Sequence, residues 1–298
     1  MSNATLYQGK LLPLNHFIVD GIYGSDTIPS IREKFGYGTL QAAFNASSGD
    51  VFFILRNVYS DSLVVNDGPP VLRLIGEKSS DTDISLLEIH RTANYTLDFI
   101  NINIGSLSLD NLGYTTTVKG TNSVIDTFTV VIPPGSTSPG SVIIDGNIRI
   151  SSFDGSGSTG STGAKGANEQ GSPENEGYTP ASSGENGGYG GVGCNLTLLN
   201  YSKVSNINVN GGAGGHGGDG GDATNSNAGN GGDGGTGGNG GSITIGSGCI
   251  VETSLINVGG TAGSAGSQGS GSGGSSGNPG NPGSAGSTSN HTFSYIPA

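Results

Sequence analysis

The chain of 298 residues holds 58 glycines, no tryptophan, a single methionine and only 11% charged residues, and its formal net charge is −12. An acid surplus of that size repels phosphate backbones and anionic bilayers, so nucleic acid and membrane surfaces are excluded as expected partners. No run approaches the eighteen or so apolar residues of a membrane span, and two cysteines, Cys194 and Cys249, do not make a disulfide framework.

Residues 1–36 are of mixed composition, with LLPLNHFIVDGIYG reading as a short strand and turn. The opening stretch MSNATLYQGKLLPLNHF pairs no basic segment with an apolar one, so no secretory signal is expected. Thr39 is placed to cap a short helix whose Leu40, Ala43 and Phe44 share a face. Ser48-Gly49-Asp50 should then turn the chain into a buried strand from Val51 to Leu55. Between Val51 and Ile150, short β-branched runs such as VFFILRNV, VLRLIG, ISLLEIH and SVIIDGNIRI alternate with turn residues, without helical periodicity. This region is expected to be all-β. Successive coils of a solenoid, stacking their side chains into one core, fit the irregular spacing better than hairpins do. A β-sandwich or jelly roll with Gly-rich insertions is the alternative.

Beyond Ile150 a larger repeat emerges. Three strand pairs (SVIIDGNIRISSF, NLTLLNYSKVSNINV and SITIGSGCIVETSLINV) each precede a Gly-rich excursion, over residues 155–193, 210–242 and 259–290. Glycine recurs at every third residue on the way out and on the way back, as at 157, 160, 163 and 166 and then 184, 187, 190 and 193. A flexible linker has no reason to keep that period, whereas a left-handed three-residue helix puts each third residue on one edge. Such helices make no internal hydrogen bonds, so their amides must pair with neighbouring arms. The expectation is three polyglycine-II hairpins. The middle excursion has two glycines per triplet, which predicts that it lies between the other two. The domains expected are an attachment segment (1–36), a β-helical body with its capping helix (37–153), and coils carrying the hairpins (154–298).

Several motifs suggest chemistry and fall short of it. Gly215-His216-Gly217 is what a Gly-Gly-X tract yields whenever X is His. GGHGGD at Gly214 to Asp219 matches the start of a calcium-binding nonapeptide, but Gly221 stands where a large aliphatic residue is required. Asp81, Asp83, Glu88 and Arg91 could serve a lyase, although such charges on a solenoid are usually solvated. Asp219, Asp222 and Asp233 are expected to keep the glycine-rich surface soluble. No catalytic residue, metal site or cofactor is expected. Recognition is instead expected at the hairpin tips and exposed aromatics: Tyr178, Tyr189, Asn225, Asn227, Ser272 and Ser275.

The stretch Gly36 to Leu55, a short helix and then a Gly-Asp turn into a strand, resembles the entry to right-handed parallel β-helices of the pectin-lyase-like superfamily. That likeness implies a fold and not an activity. The glycine triplets resemble those of bacteriophage tail-fibre tip adhesins, and the combination is similar to β-helical virion surface proteins. These resemblances imply a non-enzymatic fibre, decoration or receptor-binding subunit on a virion surface. Its expected partners are other virion or fibre proteins through the N-terminal segment, a host-surface glycan or protein receptor, and further copies of itself. A secreted or surface binding module, such as an ice-binding protein, is a second reading, and a β-helical carbohydrate-active enzyme a third.

Overall fold

The computed structural model describes residues 6–7, 10–11, 16–47, 51–66, 70–77, 82–90, 93–110, 113–174, 177–272, 274–288 and 291–293. Strands β1 (Leu6–Tyr7) and β2 (Lys10–Leu11) pair with each other, antiparallel. They are followed by β3 (His16–Asp20) and two helices, α1 (Pro29–Phe35) and α2 (Leu40–Ala46). Then come β4 (Val51–Arg56), β5 (Val58–Val65), β6 (Val71–Gly76), β7 (Thr82–His90), β8 (Tyr95–Ile100) and β9 (Asn103–Asp110). Two long strands, β10 (Thr115–Val131) and β11 (Ser141–Asp154), sit mid-chain. The last five are β12 (Asn195–Leu199), β13 (Lys203–Asn208), β14 (Ile243–Ile245), β15 (Ile250–Ile256) and β16 (His291–Phe293). From β3 onward they form one 14-stranded sheet, parallel throughout and curled into a half-barrel.

Two rows of strands make up this sheet. One runs β3, β4, β6, β8, β10, β11, β12, β14, β16; the other runs β5, β7, β9, β10, β11, β13, β15. β10 and β11 belong to both rows because each bends partway along. The bends need backbone that turns sharply, and asparagine and glycine provide it, being the residues that best tolerate a positive φ. Asn57, Asn101, Asn122 and Asn200 take φ of 48°, 54°, 51° and 51°, and Gly146 and Gly248 serve the same corner at 107° and 73°. Asn122 also donates its side-chain amide to Asn101 Oδ1 at 3.0 Å, and Asn200 donates to Asp145 Oδ1 at 2.6 Å. The corner is therefore a ladder.

Parallel register stacks like on like. Leu72, Leu97, Val118, Ile144, Leu198 and Ile245 are successive partners along the first row, and all are buried. Leu63, Leu87, Leu107, Phe128, Phe153 and Ile207 do the same along the second. Each such side chain is worth about 1.5–3 kcal/mol when fully buried. The continuous core explains why a chain without tryptophan folds. Thr39 caps α2 as expected, accepting a hydrogen bond from the Ala42 amide, with Leu40 and Ala43 buried. The short helix α1 was not foreseen; Pro29 starts it, its fixed φ suiting the first helical turn. The expected turn at Ser48-Gly49-Asp50 lies outside the described residues.

Among the described residues the three excursions contain neither helix nor strand, yet amides at about every third position are bonded to neighbouring arms. Gly157, Gly160, Gly163 and Gly166 donate to the carbonyls of Asn210, Ala213, His216 and Asp219, each at 2.8 Å. Returning, Ser182, Glu185, Gly188 and Gly191 donate back to Ala167, Ala164, Ser161 and Ser158. The middle excursion uses both glycines of its triplets. Gly211 donates to Val258, just before the third excursion, Gly214 and Gly217 to Thr261 and Ser264 within it, and Gly212, Gly215 and Gly218 to Gly191, Gly188 and Glu185 in the first. The second excursion thus lies between the other two.

Glycine is required along these arms for space rather than for turning. Among the described glycines, those with positive φ are confined to corners and loops, at 36, 113, 135, 146, 171, 177 and 248. A Cβ on Gly235 would lie 1.9 Å from the Gly188 carbonyl oxygen, and one on Gly214 would lie 1.9 Å from that of Gly235. Gly235→Ala should therefore cost about 3 kcal/mol or more, since the obstacle is backbone on a neighbouring arm. Thr236→Ala, one residue along and pointing outward, should stay within about 0.5 kcal/mol of wild type. Thermal unfolding of the two variants checks this contrast, and equal effects would remove the close-approach argument.

Candidate functional site

The far end of the three excursions gathers most of the residues expected to recognise a partner. Gln170 and Thr179 close the first tip with two mutual backbone bonds of 3.0 Å. Beside them Glu169 reaches across to the second tip. Its carboxylate Oε2 accepts the amides of Thr224 at 2.5 Å and Asn225 at 2.7 Å. The third tip joins through the Ser272 amide, which donates to the Ala223 carbonyl at 3.1 Å. It joins again where Asn227 Oδ1 accepts the Ser275 amide at 3.0 Å. Asn225, Asn227, Ser272 and Ser275 all take part in these contacts, and Tyr178 stands at the same end, one residue before Thr179. Between the tips opens a groove of about 350 Å³ lined by Asn168, Glu169, Asp222, Thr224, Ser270 and Ser272.

Tyr189 is not part of this cluster. It stands on the returning arm of the first excursion near the sheet, 66% exposed. Its carbonyl accepts the Gly135 amide at 2.9 Å, and its ring flanks a groove of about 230 Å³ shared with Ser136, Thr137, Val192, Thr236 and Asn239.

Glu169 is the residue that sequence reasoning missed. In sequence it is one carboxylate at the end of a glycine tract. Its partners lie 55 and 56 residues away, so no local pattern could announce them. The Asn225 amide, first among its donors, holds its carboxyl below the usual carboxylate range. The Ser270 amide does the same for Asp222.

The polar residues along the arms also do more than the sequence suggested. Asp219, Asp222 and Asp233 accept the amides of Ser267, Ser270 and Asn281 at 2.7, 2.8 and 2.6 Å. Asn210, Asn230 and Asn239 do the same for Val258, Asn278 and Ser287. These side chains satisfy the amides of the next layer, a role the sequence did not suggest for the acids among them. His216 joins the same row, its Nδ1 lying 2.5 Å from Ser264 Oγ and accepting the Ser264 amide at 3.2 Å.

On the sheet, Asp81 and Arg91 lie outside the described residues. Asp83 accepts a bond from the Asn103 side chain at 2.9 Å, within a shallow groove of about 480 Å³ that also meets Asp126. Glu88 sits 3.7 Å from His90, whose Nδ1 meets Asp110 at 2.6 Å. The Asp110 hydrogen bond is the main cause that raises the His90 pKa. Among the described residues no group of three or more His, Cys, Asp or Glu side chains is arranged to hold a metal ion. No helix described is long and apolar enough to cross a membrane. A comparison with known protein families, curated proteins and solved structures finds no match for this chain.

Two predictions follow from these contacts. Because the folded state lowers the Glu169 pKa, the tip contact is fully present above the ordinary carboxylate value of 4.5 and weakens as pH falls through the lowered value. Hydrogen exchange at the Thr224 and Asn225 amides, corrected for intrinsic rate, should quicken on acidification in the wild type; in Glu169→Gln, whose amide oxygen accepts but does not titrate, that acid step should be absent. The cysteines should also differ. Cys194 is completely buried, and burial pushes its thiol up to about 12, whereas Cys249 is half-buried. A thiol reagent should label Cys249 alone in the native protein and both cysteines after denaturation.

Proposed function

We propose that this chain is a non-enzymatic structural protein of a virion surface, serving as a fibre, decoration or receptor-binding subunit. On this reading the curled parallel sheet is a right-handed parallel β-helix, and the three excursions are polyglycine-II hairpins leaving successive coils. The observation that carries it is the layered bonding of the excursions. Amides at every third residue are tied to neighbouring arms, and side chains at the remaining positions tie layer to layer. A polar segment that meant to stay flexible would leave those amides to water. An arrangement so fully bonded stiffens a slab and holds its tips at fixed positions, which favours presentation over chemistry. Contacts made without rearrangement keep more of their free energy as affinity.

The tip groove around Glu169 and the exposed ring of Tyr189 are then the surfaces offered to a host glycan or protein receptor. The N-terminal segment is the end attached to other virion or fibre proteins. Particles purified from the source culture would be analysed by mass spectrometry and labelled with a gold-conjugated antibody against residues 222–230. Peptides of this chain in the particle fraction, with gold on the outer surface, are the expected result. A chain found only in the particle-free fraction overturns the reading.

A further inference from the structure

The two ends of the second row of strands are treated very differently. At the first end, the open edge of β5 is covered by α2. Gln41 Oε1 accepts the Val64 amide at 2.9 Å, and Asp61 accepts the Leu40 amide at 2.6 Å. At the other end, β15 pairs with β13 and, among the described residues, with no other strand. Its far edge is a row of backbone donors and acceptors ready for another strand. Beside it a groove of about 340 Å³ opens among Ile245, Cys249, Val251 and Leu255.

Side chains change character at that edge. In β13 the outward positions are Lys203 and Asn208, whose register partners in β15 are Ile250 and Ile256. Ile250 and Ile256 are 45% and 46% exposed, and Val258 just beyond is 49% exposed. In the last coil this lateral face carries two exposed isoleucines, and among the described residues no strand pairs beyond β15. Exposed apolar residues at an unpaired edge mark an interaction surface.

The order of residues in β15 says what the partner is. The strand reads Ile250-Val251-Glu252-Thr253-Ser254-Leu255-Ile256, which has the same character in both directions about Thr253. We propose that β15 pairs antiparallel with β15 of a second copy of this chain, on a two-fold axis through Thr253. In that register Ile250 faces Ile256 of the second copy, and Val251 faces its Leu255. Both pairs are apolar and both repeat by symmetry, as an isologous interface requires. Glu252 faces Ser254 of the second copy, so no like charges are opposed across the strands. Glu252 is moreover already engaged, accepting the Ser205 hydroxyl at 2.6 Å and lying 3.4 Å from Arg149. A further glycine layer on the slab is the less suitable occupant of this end. The amides of Gly231 and Gly234 bond onward to the third excursion, whereas the Pro-Gly-Asn-Pro run of that excursion sets Pro279 and Pro282, which have no N–H, in its own return arm.

Sedimentation of the full chain over a wide concentration range tests the proposal. Its mass should double from 29.6 kDa. Ile250→Asp with Ile256→Asp would place carboxylates opposite one another and should give a monomer; circular dichroism checks that the fold is kept, since both side chains already reach solvent. In a Cys249→Ser, Thr253→Cys chain, mild oxidation should form an intermolecular disulfide. Directly opposed residues of antiparallel strands are about 4.5–5.5 Å apart at Cα, within the range of about 4.4–6.8 Å that a disulfide spans. Labelling of Cys249 in the otherwise unaltered chain should slow as the protein is concentrated. A monomer at every concentration overturns the proposal. So does a dimer that survives the aspartate pair without the 253–253 cross-link, or an assembly that forms only with a different protein.

Discussion

The close approach of one backbone to another governs this molecule from Gly155 onward. Where two arms meet, a carbonyl oxygen of one occupies the place a Cβ would take on the next, as at Gly235 and Gly188. That contact leaves room for glycine alone. It also delivers that carbonyl to an amide of the neighbouring arm: the Gly188 carbonyl accepts the Gly215 amide at 2.8 Å. Space and hydrogen bonding are therefore one constraint, imposed every third residue. The excursions, with almost no large side chains to bury, still become ordered because ordering satisfies their backbone.

The same logic holds in the sheet, with side chains in place of bare backbone. Parallel register lays Leu72, Leu97 and Val118 over one another, and corners at Asn57, Asn101, Asn122 and Asn200 turn the chain alike in four coils. The excursions leave from the ends of β11, β13 and β15, so the spacing of the sheet also sets the spacing of the slab. Asn195, at the start of β12, marks the junction: its Oδ1 accepts the Ser242 amide at 2.9 Å, just as slab asparagines accept the amides of the layer above. One layer spacing serves two kinds of packing.

Much of the candidate site was legible and its organisation was not. Asn225, Asn227, Ser272 and Ser275 stand where period three breaks down, so the tips could be read from the loss of a pattern. Tyr189 sits within the pattern, and the structure keeps it near the sheet, away from the tips. Glu169 gave no signal, because its meaning depends on amides contributed by another excursion. Acids at Asp219 and Asp233 looked like solubilising charges for the same reason: their acceptor role exists only once the third excursion lies alongside.

Local chemistry determined what the sequence could decide alone. Period three in glycine, β-branched runs between turns and a threonine before Leu40 are each consequences of a few neighbouring residues, and each predicted an element or an ordering correctly. The half-barrel, the alignment of the αL corners at Asn57, Asn101, Asn122 and Asn200 and the reach of Glu169 were settled by tertiary structure. These depend on which backbone atoms meet across 20 to 56 residues of chain, and no short window of sequence contains both partners.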